Sequence, residues 1–278
     1  MNQNTKIKIG HVLKLILFIL ITLIVMVPIL VTIFSSFKTP QQIGSEFPLK
    51  FPTSFNFENY KIVLEKGKVL TGFKNSGILV VCTVFMNSIL GTMVAYCLTR
   101  FDFKLKKYYY LAFLVGMLVP GFVTEISRFG IIAKAGLYNT LGAPLVIYIG
   151  TDLMQIYIYS QFMTQIPKSI DESAMMDGCS YFRVYWNIIF PMVLPATATL
   201  GILKAVEVIN DMYIPFLYMP GAKNRTLTTM LMYFSGQRDG SWTRLSAAIV
   251  IVMIPTILIY LLFQEYIFDG IVAGAVKE

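Results

Sequence analysis

The chain has 278 residues, 56% of them hydrophobic and only 14% charged, with a formal net charge of +8. Soluble domains carry about 25% charged residues, so this composition excludes a soluble globule, and the long apolar runs place the chain in a membrane. The basic residues lie between apolar spans and form no continuous stripe, which excludes nucleic acid as a partner and marks them as interfacial charges.

Leu15 to Phe34 is a run of twenty residues without a charge, long enough to cross ~30 Å of hydrocarbon as a helix. Lys6, Lys8 and Lys14 precede it, as in a secretory signal. The run is too long for one, however, and no small-residue cleavage site follows, so it reads as an uncleaved first span. His11, the sole histidine, reads as an interfacial residue. Phe37 to Gly72, with Pro40, Pro48 and Pro52, reads as a partly structured outer loop.

Five further spans follow, at about Phe73–Leu98, Tyr108–Ile126, Leu141–Phe162, Pro191–Met219 and Leu245–Phe268. Pro28, Pro120, Pro144, Pro215 and Pro255 lie within or near the spans, where neighbouring helices can satisfy the freed backbone groups; they predict kinked, closely packed helices. Asn75, Ser76, Asn87 and Ser88 suit helix packing. Pro220 to Arg244 forms a second polar outer loop, and both outer loops are large enough to touch a soluble partner. Cys82, Cys97 and Cys179 are odd in number and contain no CxxC, which argues against a disulfide framework or a zinc site. The expected fold class is all-α, a polytopic membrane protein with six transmembrane helices in one domain over residues 1–278.

Between the fourth and fifth spans, Ser169 and Glu172 fit an S-x-x-E capping box and predict a helix start. Asp171 and Glu172 suit the positive end of its dipole, and Gly178 is placed to end it after about two turns. Ser180 can cap a second short helix, and Pro191 marks the passage into the fifth span. Two short amphipathic helices at a fixed angle are expected.

This loop resembles the E-A-A-x-x-x-G-x9-I-x-L-P signature of ATP-binding-cassette importer permeases, through Glu172-Ser173-Ala174, Asp177-Gly178, Ile188 and Pro191. Ser173 replaces alanine and Phe190 replaces leucine. Ser35-Ser36-Phe37-Lys38-Thr39-Pro40, Phe57-Glu58-Asn59-Tyr60 and Gly136-Leu137-Tyr138-Asn139-Thr140 resemble segments of the carbohydrate permeases. The tail Gly270 to Lys277 is similar to the G-L-T-A-G-A-V-K ending of the six-span subunit in the maltose and oligosaccharide branch.

The resemblance implies a type I importer permease fold. It makes residues 165–190 a coupling helix loop that docks in a cytoplasmic ATPase, with Glu172, Ser173, Ala174, Asp177 and Gly178 at that contact. The implied partners are a second, homologous permease, two ATPase subunits, an extracellular solute-binding protein and a sugar. The implied location is the bacterial cell membrane, multi-pass, with both termini cytoplasmic. The Lys and Arg distribution supports that orientation only weakly, through the basic N-terminus and the short loop Arg100 to Lys107. The chain lacks G-x-x-x-x-G-K-[ST], so no catalytic residue, metal or cofactor is expected of it, and ATP is bound by the partner ATPase.

The fifth span holds Lys204, Glu207, Asn210 and Asp211. Spacings of three and four put Lys204, Glu207 and Asp211 on one helix face. An ionised group at mid-membrane costs about 2.5–3.5 kcal/mol on insertion scales unless it faces protein or water. Two readings stand: a polar lining of a translocation path, or an internal Lys–Glu pair that holds helices together. Asp152 and Gln155 are weaker candidates for the lining. An alternative function, an ion-coupled secondary transporter, would make the same charged face its ion site, but it predicts inverted repeats that the sequence lacks and leaves the loop signature unexplained.

Overall fold

The computed structural model describes residues 3–150, 153–236 and 241–275, with side chains from 11 to 265 except Met117. Among the described residues all regular structure is helical. In chain order the helices are α1 (Gln3–Ser36), α2 (Pro40–Ser45), α3 (Glu58–Lys66), α4 (Val69–Arg100), α5 (Lys106–Leu118), α6 (Gly121–Lys134), α7 (Gly142–Ile149) and α8 (Leu153–Thr164). They continue as α9 (Lys168–Met176), α10 (Tyr181–Val184), a π turn over Tyr185–Ile189, α11 (Phe190–Met192), α12 (Leu194–Asn210), α13 (Tyr213–Tyr218), α14 (Leu227–Ser235) and α15 (Trp242–Ala275).

The first, second and sixth expected spans are continuous helices: α1, α4 and α15. At 1.5 Å per residue the 32 residues of α4 reach about 48 Å, more than a bilayer core. Pro28 and Pro255 sit inside α1 and α15 without ending them.

The other three expected spans are interrupted. The third stops at Leu118; Val119 and Pro120 are extended, with ψ of 114° and 132°, and α6 leaves at 104° to α5. A proline pushes the residue before it out of the helical region, and here nothing restores the ladder. The fourth is two short helices, α7 and α8, parted at Gly150; Asp152 lies outside the described residues. The fifth begins after a 74° break at Val193 and ends at Asn210, with Asp211 extended and α13 beyond it. The tail is helical to Ala275, and Val276 and Lys277 lie outside the described residues.

Two compact units emerge, one of residues up to Val69 with Met230–Ile254, the other of Leu70–Thr229 with residues from Pro255. In the first, the buried Asn59 of α3 is the tie. Its Nδ2 donates to the carbonyls of Ser36 and Lys38, both at 2.9 Å, and its Oδ1 accepts from Thr243 Oγ1 at 3.1 Å. The start of α3 is thus joined to the end of α1 and to the start of α15.

In the second unit α4 pins the interruptions. Asn87 Nδ2 donates to the carbonyls of Ile149 and Gly150, where α7 has run out of helical partners, and its Oδ1 accepts from Gln155. Asn75 Nδ2 donates to Lys223 O and Arg225 O, and Ser76 Oγ accepts the Leu227 N–H. A buried backbone group left unpaired costs about 1–3 kcal/mol, so these polar residues do more than pack. They complete the hydrogen bonding of broken backbone. Below them a buried cluster of Tyr96, Tyr159, Met163, Val184, Tyr185 and Ile189 joins α4, α8 and the loop that carries α9.

Candidate functional site

The loop between α8 and α12 folds much as its residues dictate, with one correction. The Ser169–Glu172 capping box does not form: the N-cap is Pro167, two residues earlier, which makes no side-chain cap bond, and α9 begins at Lys168. Pro167 is extended (ψ 136°) and lies directly before the helix, so the turn is set by the proline and not by a hydroxyl.

The far end matches its expectation. Asp177 is the C-cap and Gly178 has φ of +81°. Gly178 N donates to Met175 O and Cys179 N to Ala174 O, each at 3.0 Å, the paired bonds of a Schellman motif. Ser180 Oγ then accepts the Arg183 N–H and caps α10. The two short helices are fixed end to end by four residues, Asp177 to Ser180.

This geometry sorts the residues of α9 into two faces. Glu172, Ser173, Met176, Asp177 and Gly178 are exposed, Met176 at 89%. Ala174 and Asp171 are buried and turn inward. Ala174 therefore joins the seat of the helix rather than its outer face, packed in the Met163–Tyr185 cluster. Asp171, read from sequence only as a favourable dipole charge, pairs with Arg100 at the end of α4, Nε to Oδ2 at 3.0 Å, with both side chains under 10% exposed. Arg100 Nη2 also donates to Ile166 O at 3.0 Å. Burial raises the Asp171 carboxyl above its ordinary value, and Arg100 pulls against that shift. The outer face of α9 is thus carried on one buried ion pair at the tip of a membrane-crossing helix. A long-range partner of this kind leaves no local signal; the excess of basic residues after Leu98 could only mark Arg100 as interfacial.

The charged residues of the fifth span separate. Lys204 Nζ donates to both oxygens of Glu207 at 3.0 Å. Lys204 is mostly covered and Glu207 is more than half exposed. Asn210, at the end of α12, accepts from Thr256 Oγ1 at 3.2 Å. Asp211 leaves the helix. Its carboxylate accepts the N–H groups of Tyr213 (2.7 Å) and Ile214 (3.3 Å) and the Tyr148 hydroxyl (2.8 Å). Its carbonyl accepts from Thr228.

Asp211 is therefore the hinge pin between α12 and α13. Asp211→Ala should remove a cap worth about 0.5–2 kcal/mol and strand the Tyr148 hydroxyl at a further cost of about 1–3 kcal/mol. Asp211→Asn keeps an acceptor for both N–H groups. Complex yield in detergent should fall for the alanine variant and hold for the asparagine variant.

Sequence reasoning also passed over Glu125 and Arg128. Glu125 is buried on α6, accepts the Tyr218 hydroxyl at 2.6 Å and pairs with Arg128 at 3.1 Å. The break at Pro120 is what turns this carboxylate, at the edge of an expected span, into a buried one. A cavity of about 750 Å³ between α4, α12 and α15 is lined by apolar side chains, Ser88 and Thr197 excepted. None of Lys204, Glu207, Asn210 or Asp211 lines it, so it offers no seat for a polar solute.

Residues 87–272 match the family described as binding-protein-dependent transport system inner membrane components. The chain is 32% identical over 267 residues to the probable starch degradation products transport system permease protein AmyC of Thermoanaerobacterium thermosulfurigenes, covering 94% of each chain. It is 30% identical to the multiple sugar-binding transport system permease protein MsmG of Streptococcus mutans, over 97% of this chain and 98% of that one. It is 27% identical to the melibiose/raffinose/stachyose import permease protein MelC of Bacillus subtilis, over 90% and 91%. Its fold superposes on a chain in the crystal structure of a bacterial ABC transporter that imports the acidic polysaccharide alginate, with a TM-score of 0.82 at 20% identity, covering 96% and 98%.

Proposed function

The chain belongs to the family of binding-protein-dependent transport system inner membrane components, and from that membership we propose that it is the permease subunit of an ATP-driven importer of oligosaccharides. The carrying observation is the two-faced α9. Its outer face of Glu172, Ser173, Met176 and Asp177 is exposed, and its inner face is seated through Asp171 on Arg100. A short helix closed at both ends and held on a membrane-crossing helix is suited to pass a push from a soluble partner into the spans. The named relatives are sugar permeases over nearly their whole length, which supports a carbohydrate cargo.

In this reading a cytoplasmic ATPase takes the outer face of α9, which puts both termini in the cytoplasm of a bacterial cell. A second, related permease supplies the other half of the path. An extracellular binding protein delivers the sugar. Nucleotide is bound and hydrolysed by the ATPase, because this chain has no phosphate-cradling loop. Lys204 and Glu207 serve as a neutralised pair beside the path, and Asn210 and Glu207 present polar atoms to it. The closed Lys204–Glu207 contact leaves neither charge free to hold a transported ion.

Reconstitution in vesicles tests the proposal. The purified chain alone should turn over no ATP. Labelled oligosaccharide should accumulate only when the second permease, the ATPase and the loaded binding protein are all present. Uptake driven by an ion gradient without ATP would overturn this function.

A further inference from the structure

The segment between α1 and α4 carries a cluster of aromatic rings that the transport reading does not use. Phe34 meets Phe51 at 5.4 Å between ring centroids, Phe51 meets Phe55 at 5.9 Å, and Phe55 meets Phe37 at 5.2 Å. Phe37 then meets Phe57 and Tyr60 at 5.5 and 5.2 Å. Although these rings touch one another, Phe51, Phe55 and Phe57 remain more than half exposed, as does Phe47. No charge interrupts residues 51–57. Phe51, Phe55 and Phe57 thus form a contiguous exposed apolar patch, the kind of surface that marks a membrane or protein contact.

Asn59 sets this cluster level with the ends of two long apolar helices. Its side chain bonds to the last residue of α1 and to Thr243, the second residue of α15. One end of each of two membrane-crossing helices therefore sits at the depth of α3, and Phe55 and Phe57 immediately precede that helix. Trp242, the first residue of α15, is exposed at the same level, as aromatic residues at a membrane boundary are.

The shape of the segment is also held in advance. Lys38 is buried, its ammonium donating to Phe47 O at 3.2 Å and lying 3.7 Å from Glu46. Glu46 is held below the usual carboxylate range by the hydrogen bond from Lys50, helped by Lys38. Lys61, Lys66 and Lys68, on and just after α3, are exposed, and cations of this kind near a membrane surface can meet lipid phosphates.

We infer that Phe47, Phe51, Phe55 and Phe57 insert into the acyl–headgroup boundary of the membrane at this level, so that the segment is a lipid-seated platform and not a free loop. Its occupant is phospholipid. A soluble partner would have to reach these rings through the headgroup layer. Which leaflet it is rests on the orientation proposed above, and would be the outer one.

The test uses the assembled transporter, its native cysteines replaced, in phosphatidylethanolamine–phosphatidylglycerol vesicles. Nitroxide labels are placed through Phe51→Cys and Phe55→Cys, with Glu65→Cys on the exposed polar side of α3 as reference. Insertion predicts a higher oxygen-to-nickel-chelate accessibility ratio at positions 51 and 55 than at 65, at a depth of roughly 5–10 Å. Free access of the nickel chelate to all three positions would overturn the inference. So would exclusion of both reagents from 51 and 55, which would mean that protein, either the second permease or the binding protein, covers the rings. Reaction of Glu65→Cys with an impermeant thiol reagent added outside reads the orientation separately. Neither measurement depends on uptake, so failure of the sugar-import reading would leave this result intact.

Discussion

Arg100→Ala is expected to produce the largest loss of any single substitution in the chain. The guanidinium is the cation in contact with the buried Asp171 carboxylate, and its Nη2 satisfies the buried Ile166 carbonyl. Removing one partner of a buried pair costs about 3–5 kcal/mol, because the other charge is left uncompensated or must take up a proton. Burial already pushes Asp171 upward, so without Arg100 the carboxyl should protonate, and α9 should lose its fixed seat. Uptake should fall to background. If any complex assembles, its ATPase rate should no longer respond to the loaded binding protein. The double variant Arg100→Met, Asp171→Leu removes both charges, and replacing a buried pair by apolar residues is often close to neutral. It should recover much of the complex yield while leaving uptake impaired. Equal yields for the single and double variants would contradict the pairing.

Gly178→Val should abolish uptake without preventing insertion. The glycine sits at φ of +81°, where a β-branched residue is a steric outlier. A Cβ built there meets nothing within 4 Å, so the penalty comes from the backbone alone and not from crowding. That distinction makes a graded series informative. Asparagine tolerates left-handed backbone and should retain most activity, alanine should lose part of it, and valine should lose at least tenfold. A ranking by side-chain volume, with asparagine as poor as valine, would point instead to an occluded surface. Uptake and membrane-fraction immunoblots read the two quantities separately.

The parts of this fold that could be read from sequence are those governed by neighbours along the chain. The uncharged run of α1 and the apolar length of α4 and α15 required only composition. Gly178 and Ser180 mark helix ends by their own backbone and side-chain chemistry, and both sit where expected. The interruptions were not legible, because apolar content alone says that a segment leaves water and not that it is straight. Pro120, Gly150 and Asp211 end helices, whereas Pro28 and Pro255 do not. At Gly150 and Asp211 the break is one that another element can satisfy. Asn87 can bond the free carbonyls at Gly150, and Thr228 the carbonyl of Asp211; both partners are distant in sequence. Lys204 and Glu207 pair as a spacing of three allows, but placing Asp211 on the same face assumed a helix that had already ended.

The dependence of the broken segments on α4 has a consequence for how the protein is made. α7 has eight residues, about 12 Å of helix, and cannot cross a bilayer unaided. As it leaves the translocon it has no means of standing alone in lipid, since the carbonyls of Ile149 and Gly150 would face hydrocarbon without a donor. Those donors belong to Asn87, on a helix synthesised some sixty residues earlier. Stable integration of α7 is therefore expected to depend on α4 being in place beside it. A substitution at Asn87 would then be felt during membrane integration, before the finished protein has anything to carry.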